Sequence, residues 1–196
     1  MKITSTVGRR VFSTIISPLV GLFCLLNVPP NVITITGFVI QATSVYFICD
    51  GRLVLAGILI LVGGSMDMVD GELARRRGII SKFGAFFDSF FDRYSDTVVL
   101  LGFLYYFSTK GEILYTILTG VAIVGAMMVS YARARAEGLG VECKTGVFER
   151  TERLLTIVVG ALFGGVVLKV AFWILAIGSH LTSVQRFVYV WIKSKD

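Results

Sequence analysis

The chain alternates long apolar runs with short charged turns. From residue 31 onward there are six such runs, at about 31–49, 53–76, 83–107, 113–135, 148–168 and 170–192. Each reaches or approaches the ~20 residues that a helix needs to cross the hydrocarbon of a bilayer. Between them lie turn signals: Asp50-Gly51-Arg52, the basic stretch from Arg75 to Lys82, Ser108 to Gly111, and the polar segment Gly138 to Thr145. Ahead of them, residues 5–27 place Val7, Val11, Ile15 and Leu19 at helical spacing behind Arg9 and Arg10, with Ser13, Thr14, Ser17 and Pro18 interrupting. That pattern predicts an amphipathic helix at the interface, its arginines toward headgroups; a short spanning helix is the alternative. Val28-Pro29-Pro30-Asn31 ends this element and starts the next with proline in the first helical turn, where free N–H groups can receive a phosphate. The expected fold is an all-α integral membrane protein, one domain over residues 1–196, with six transmembrane helices preceded by the interfacial helix.

Composition supports this picture. Hydrophobic residues make up 55% of the 196 positions and the mean hydropathy is +0.81, too apolar for a soluble domain of this size. The net charge of +6 is scattered between apolar runs, which argues against nucleic-acid binding and for loops that face anionic headgroups or anionic substrates. Arg75, Arg76, Arg77, Lys82, Arg133, Arg135, Lys144, Arg150, Arg153, Lys193 and Lys195 fall on one side of the six spans; Arg52, Lys110 and Lys169 fall on the other. The first side is expected to be cytoplasmic, at the cell (inner) membrane, and to hold both termini. Cys24, Cys49 and Cys143 form neither a disulfide framework nor a zinc pattern. No short apolar segment with a small-residue cleavage site opens the chain, so no cleaved signal peptide is expected. The single histidine, His180, reads as a packing residue.

Four aspartates stand out against this apolar background. Asp67 and Asp70 are spaced i,i+3 near the end of the second run, Asp88 and Asp92 i,i+4 near the start of the third, so each pair shares a helix face. Because the second run heads toward the cytoplasm and the third away from it, both pairs lie at one depth. Carboxylates at a bilayer edge are costly unless paired, hydrated or metal-bound. Oxygen ligands without histidine or cysteine suit Mg²⁺, or Mn²⁺, and four of them can hold two ions ~4 Å apart around a phosphoryl group. Gly71 leaves room for a ligand beside Asp70, Arg75 lies one turn on, and Gly84 offers a close approach of the two helices. The alternatives are an ion-pair network with Arg75, Arg76, Arg77 and Arg93, or a transporter that binds a cation. Transport sites are often near the midplane, whereas these groups gather at one interface.

The string Asp67-x2-Asp70-Gly71-x2-Ala74-Arg75-x8-Gly84-x3-Asp88-x3-Asp92 resembles, at every defined position, the signature of the CDP-alcohol phosphotransferases. That resemblance implies a reaction in which an alcohol hydroxyl attacks a CDP-linked lipid, forming a phosphodiester and releasing CMP. It implies metal ligation by Asp67, Asp70, Asp88 and Asp92, with Asp92 also the general base, and a homodimer. Gly71 and Arg75 would contact the cytidine diphosphate, as would Pro30, Asn31, Val32 and Ile33 at the start of the first span, and Ser81. The strings Ser130-Tyr131…Ala134-Arg135-Ala136-Glu137 and Glu149-Arg150-x-Glu152-Arg153 look like the branch whose acceptor is inositol phosphate. By that likeness Arg133, Arg150 and Arg186 would hold the acceptor phosphate. Glycerol 3-phosphate carries the same phosphomonoester and is the competing acceptor.

Overall fold

The computed structural model describes residues 17–194, and every regular element among them is a helix. Residues 17–25 form α1; then follow α2 (Pro30–Cys49), α3 (Leu53–Arg76), α4 (Lys82–Thr109), α5 (Ile113–Gly138), α6 (Arg150–Phe163) and α7 (Gly165–Lys193). Most of the expected interfacial helix, residues 5–16, lies outside the described residues. Within α1, Val20 is buried against Ile33, Val69 and Leu73, so this segment packs on α2 and α3. The basic turn after α3 ties it down: Arg76 Nη2 donates to Ser17 Oγ at 3.0 Å, and Arg77 donates to the Val28 carbonyl at 2.9 Å and to the Asn27 side chain.

Four helices, α2, α3, α5 and α7, are long and apolar enough to cross a membrane. The other two expected spans differ for distinct reasons. α4 has 28 residues but carries Asp88, Asp92, Arg93 and Asp96 toward its start. α6 has only 14, a rise of about 21 Å at 1.5 Å per residue. The expected boundaries 148–168 and 170–192 are therefore corrected: the break falls at Gly164 and Gly165, whose φ angles are +60° and +48°. Two successive left-handed residues end one helix and start the next with no loop, a conformation glycine adopts without a Cβ clash. Lys169, which marked the expected turn, sits inside α7, where its Nζ is 2.8 Å from Glu112 Oε2 and 4.9 Å from the centre of the Tyr115 ring. Gly160 keeps its expected packing role, since a Cβ there would come within 2.9 Å of Ala171 Cβ; Gly164 serves the turn instead.

Close helix packing joins α2 to both α3 and α4, α3 to α6, α4 to α5, and α7 to both α5 and α6. The core is lined by Ile48, Ile60, Phe103, Phe107 and Phe172, with the Phe107 and Phe172 rings edge-to-face at 5.0 Å. The α2–α3 crossing is the tightest constraint on the aspartates. A Cβ on Gly63 would lie 2.6 Å from Gln41 Cγ and 2.7 Å from the Gly37 carbonyl oxygen. Asp67 and Asp70 follow Gly63 by one and two turns, so this crossing sets their depth. Gly63→Ala is expected to cost about 1–3 kcal/mol, the usual toll of overpacking, read as a lower thermal midpoint in detergent. An unchanged midpoint would mean that the crossing can relax.

Candidate active site

The site assembles from one end of four helices. Pro30 occupies the first turn of α2, and one turn on the Thr34 hydroxyl donates to the Asp70 carboxylate. α3 supplies Asp67 and Asp70, with Asp70 buried. The N-cap of α4 is Ser81, whose side chain accepts from the Gly84 N–H at 2.9 Å; Asp88 and Asp92 follow on the same helix face. One carboxylate oxygen each from Asp67, Asp70 and Asp88 lies within 4.8 Å of the other two. Close packing of backbones does not join α3 and α4; α2 wedges against both and the carboxylates span the gap. Gly84 accordingly does not serve as the expected helix-approach residue. A Cβ there would meet only Ser81 Oγ, at 3.0 Å.

α6 brings in the counter-charge. Arg150 Nη1 lies 2.6 Å from Asp67 Oδ2 and 2.7 Å from Asp92 Oδ1, so one guanidinium nitrogen bridges the two aspartate-bearing helices. A fifth carboxylate, Asp96, lies one turn beyond Asp92. Its Oδ2 accepts from Arg153 Nη2 at 2.6 Å, and its Oδ1 is 3.5 Å from Arg150 Nε. Even so, the charges do not balance. Five carboxylates face two arginines, and Asp67 Oδ1 and Asp88 Oδ1 are buried with no hydrogen-bond partner among the described residues. Buried oxygens in that condition are costly. An all-oxygen set of hard, clustered carboxylates fits a divalent cation, and the residues that would hold it are Asp67, Asp70, Asp88 and Asp92.

Two cavities open on opposite sides of the cluster. The smaller, about 420 Å³, is lined by Pro30, Asn31, Gly71, Arg75, Ser81 and Asp88, among others. Five of the seven residues expected to meet the nucleotide are thus brought together. Val32 is instead exposed and Ile33 is buried in the core beside Val20, so neither side chain enters the cavity. A Cβ on Gly71 would meet nothing nearer than Arg75 Nη1 at 3.5 Å, which leaves its face open to the cavity. Arg75 is held loosely, by an exposed pairing with Glu72 at 3.0 Å.

The larger cavity, about 700 Å³, is lined by Asp92, Asp96, Arg133, Arg150, Arg153 and Arg186 among others. The three arginines expected at an acceptor phosphate all reach it, but differently. Arg133 is half-exposed and pairs with Glu137 at 2.9 Å. Arg150 faces the aspartates. Arg186 is buried, and each of its nitrogens has a protein partner: the carbonyls of Thr145 and Val129 at 2.7 Å, and Glu149 at 3.3 Å. Sequence reasoning assigned no role to Asp96, Arg153 or Thr34. The signal for Asp96 was present, since 88, 92 and 96 continue one i,i+4 stripe; Arg153 and Thr34 acquire partners only through tertiary packing.

The profile of the CDP-alcohol phosphatidyltransferases matches residues 27–185. The chain belongs to the CDP-alcohol phosphatidyltransferase family. It is a membrane transferase, which sets aside the transport alternative. The family likeness extends through nearly the whole chain. The archaetidylinositol phosphate synthase of Methanothermobacter thermautotrophicus is 37% identical over 193 residues, 95% of this chain and 94% of that one. A crystal structure of Mycobacterium tuberculosis phosphatidylinositol phosphate synthase with CDP-DAG bound matches at TM-score 0.84 and 32% identity, covering 91% of this chain and 94% of that one. The same enzyme in complex with manganese and citrate matches at TM-score 0.83 and 32% identity, covering 90% of this chain and 88% of that one.

Proposed function

We propose that this chain transfers the phosphatidyl or archaetidyl group of a CDP-lipid to a hydroxyl of inositol 1-phosphate and releases CMP. The observation that carries this is the placement of Asp92. It lines the larger, arginine-rich cavity, while Asp70 and Asp88 line the smaller one. The donor diphosphate would enter from the smaller cavity, over Gly71 and beside Arg75, with Asn31 and Ser81 as polar contacts. The acceptor would enter the larger cavity, its phosphomonoester among Arg133, Arg153 and the neighbouring arginines, which match its charge and its capacity for bidentate hydrogen bonds. Its hydroxyl oxygen then attacks the lipid-side phosphorus. A new P–O bond forms, the bridging P–O bond to CMP breaks, and the hydroxyl proton passes to the Asp92 carboxylate.

Divalent cations, Mg²⁺ with Mn²⁺ as the alternative, would neutralise the diphosphate and the leaving CMP when bound at Asp67, Asp70, Asp88 and Asp92. Arg150 would hold Asp67 and Asp92 at a fixed separation, and Thr34 would fix the rotamer of Asp70. All six helices from α2 to α7 would cross the cell membrane after an interfacial N-terminal helix, in a homodimer, with the aspartates facing the cytoplasm. The excess of lysine and arginine at that end supports the orientation.

The test is CMP release by the purified protein with CDP-lipid and Mg²⁺ or Mn²⁺, comparing inositol 1-phosphate, glycerol 3-phosphate, serine and free inositol. Release with inositol 1-phosphate, abolished by EDTA, is expected. Release with glycerol 3-phosphate alone would overturn the acceptor assignment.

A further inference from the structure

We infer that Asp96 is a positioning residue for the acceptor: it holds Arg153 so that one guanidinium nitrogen is presented to the larger cavity. The inference rests on reading that cavity as the acceptor site. Asp96 lies outside the three-carboxylate group around Asp67, Asp70 and Asp88. Its two oxygens are directed instead at the arginines of α6: Oδ2 to Arg153 Nη2 at 2.6 Å, Oδ1 toward Arg150 Nε at 3.5 Å. Arg153 is itself buried, with a side chain only 5% exposed, yet it lines the cavity. Its Nη1 is buried and has no hydrogen-bond partner among the described residues.

A guanidinium is a rigid planar fork, so fixing one nitrogen against a carboxylate fixes the direction of the other. A buried donor left over by that geometry costs free energy unless an acceptor fills it, and an anion in the cavity would supply one. Asp96 also competes for these cations with its own neighbours. Asp67 and Asp92 already share Arg150 Nη1. Without the charge on Asp96, Arg153 has no anchor and the nearest unbalanced carboxylates belong to that cluster. Arg153 is then drawn toward Asp92 and away from the incoming phosphate. The role of Asp96 is thus to keep an arginine off the metal-ligating carboxylates and available to the substrate.

The experiment is steady-state CMP release by Asp96→Asn with a phosphomonoester acceptor, with CDP-lipid KM and Mn²⁺ affinity measured in parallel. The expected result is a rise of about tenfold to a hundredfold in acceptor KM, the range of one charged hydrogen bond, with kcat, CDP-lipid KM and Mn²⁺ affinity changed less than threefold. Arg153→Gln should give the same KM rise, and adding Asp96→Asn to it should raise KM no further, because Asp96 acts through Arg153. An unchanged acceptor KM, a double variant as poor as the product of the two singles, or an equal loss in Mn²⁺ affinity would each overturn the inference. Should Asp96→Asn fold poorly, Asp96→Glu keeps the charge and should restore the KM toward the parent value; failure to do so counts against the inference. Failure of the inositol assignment is separable: the wild type would then prefer glycerol 3-phosphate, and the Asp96 effect is read with that acceptor.

Discussion

Asp92→Asn should lower turnover by about 10²- to 10⁴-fold, the range for loss of a general base, while CDP-lipid still binds. Asparagine keeps the shape of the side chain and can still accept a hydrogen bond from Arg150, which lies 2.7 Å from Asp92 Oδ1. It cannot take up the proton of an attacking hydroxyl. The other aspartates are less well placed for that task, because Asp67, Asp70 and Asp88 are absent from the lining of the larger cavity. Asparagine is also a weaker cation ligand, so the assay needs a control. If turnover stays low at saturating Mn²⁺, Asp92 is acting as the base. If saturating Mn²⁺ restores it, Asp92 is a ligand alone and the proton goes elsewhere.

The second large effect concerns stability. Arg150→Ala removes the nitrogen that bridges Asp67 and Asp92, from a side chain only 20% exposed. Breaking a buried ion pair from one side typically costs about 3–5 kcal/mol, because the partner charge is left uncompensated. Here two carboxylates lose their counter-charge together. The variant is expected to unfold at a markedly lower temperature in EDTA than the parent protein. Millimolar Mn²⁺ should close most of that gap, since a cation at the same carboxylates replaces the missing charge and stabilises the folded state by mass action. The measurement is thermal unfolding in detergent, with and without Mn²⁺. An equal deficit in both conditions would show that Arg150 and the cation do not compete for the same oxygens.

What could be read from the sequence follows from the kind of constraint behind each feature. The aspartates, Gly71 and Arg75 sit in local strings whose helical spacing already places them on shared faces, so their convergence needed only two antiparallel helices. The ends of α2, α3 and α5 were legible because polar turns flank uncharged runs. α6 was not, since residues 148–168 read as one apolar run and hydropathy is blind to a left-handed pair of glycines. Lys169 misled for the complementary reason: a lysine usually marks a turn, but Glu112 and Tyr115 accommodate this one within a helix. Arg150 was expected to face a phosphate. Its sequence neighbours are Glu149 and Glu152, yet its contacts are aspartates from α3 and α4, and only the α3–α6 packing brings them together. Glu149 looks away, toward Arg186.

The turn at Lys110–Glu112 between α4 and α5 divides the chain in a way that matters for its descent. Every residue lining the smaller cavity precedes that turn, and every arginine of the larger cavity except Arg93 follows it. A single genetic crossover there would graft a new arginine set onto an intact nucleotide chamber. New acceptor preferences could then arise by exchange of α5–α7 as a block, faster than by point substitution. The requirement on the incoming block is narrow: it must deliver an arginine at position 150 to meet Asp67 and Asp92.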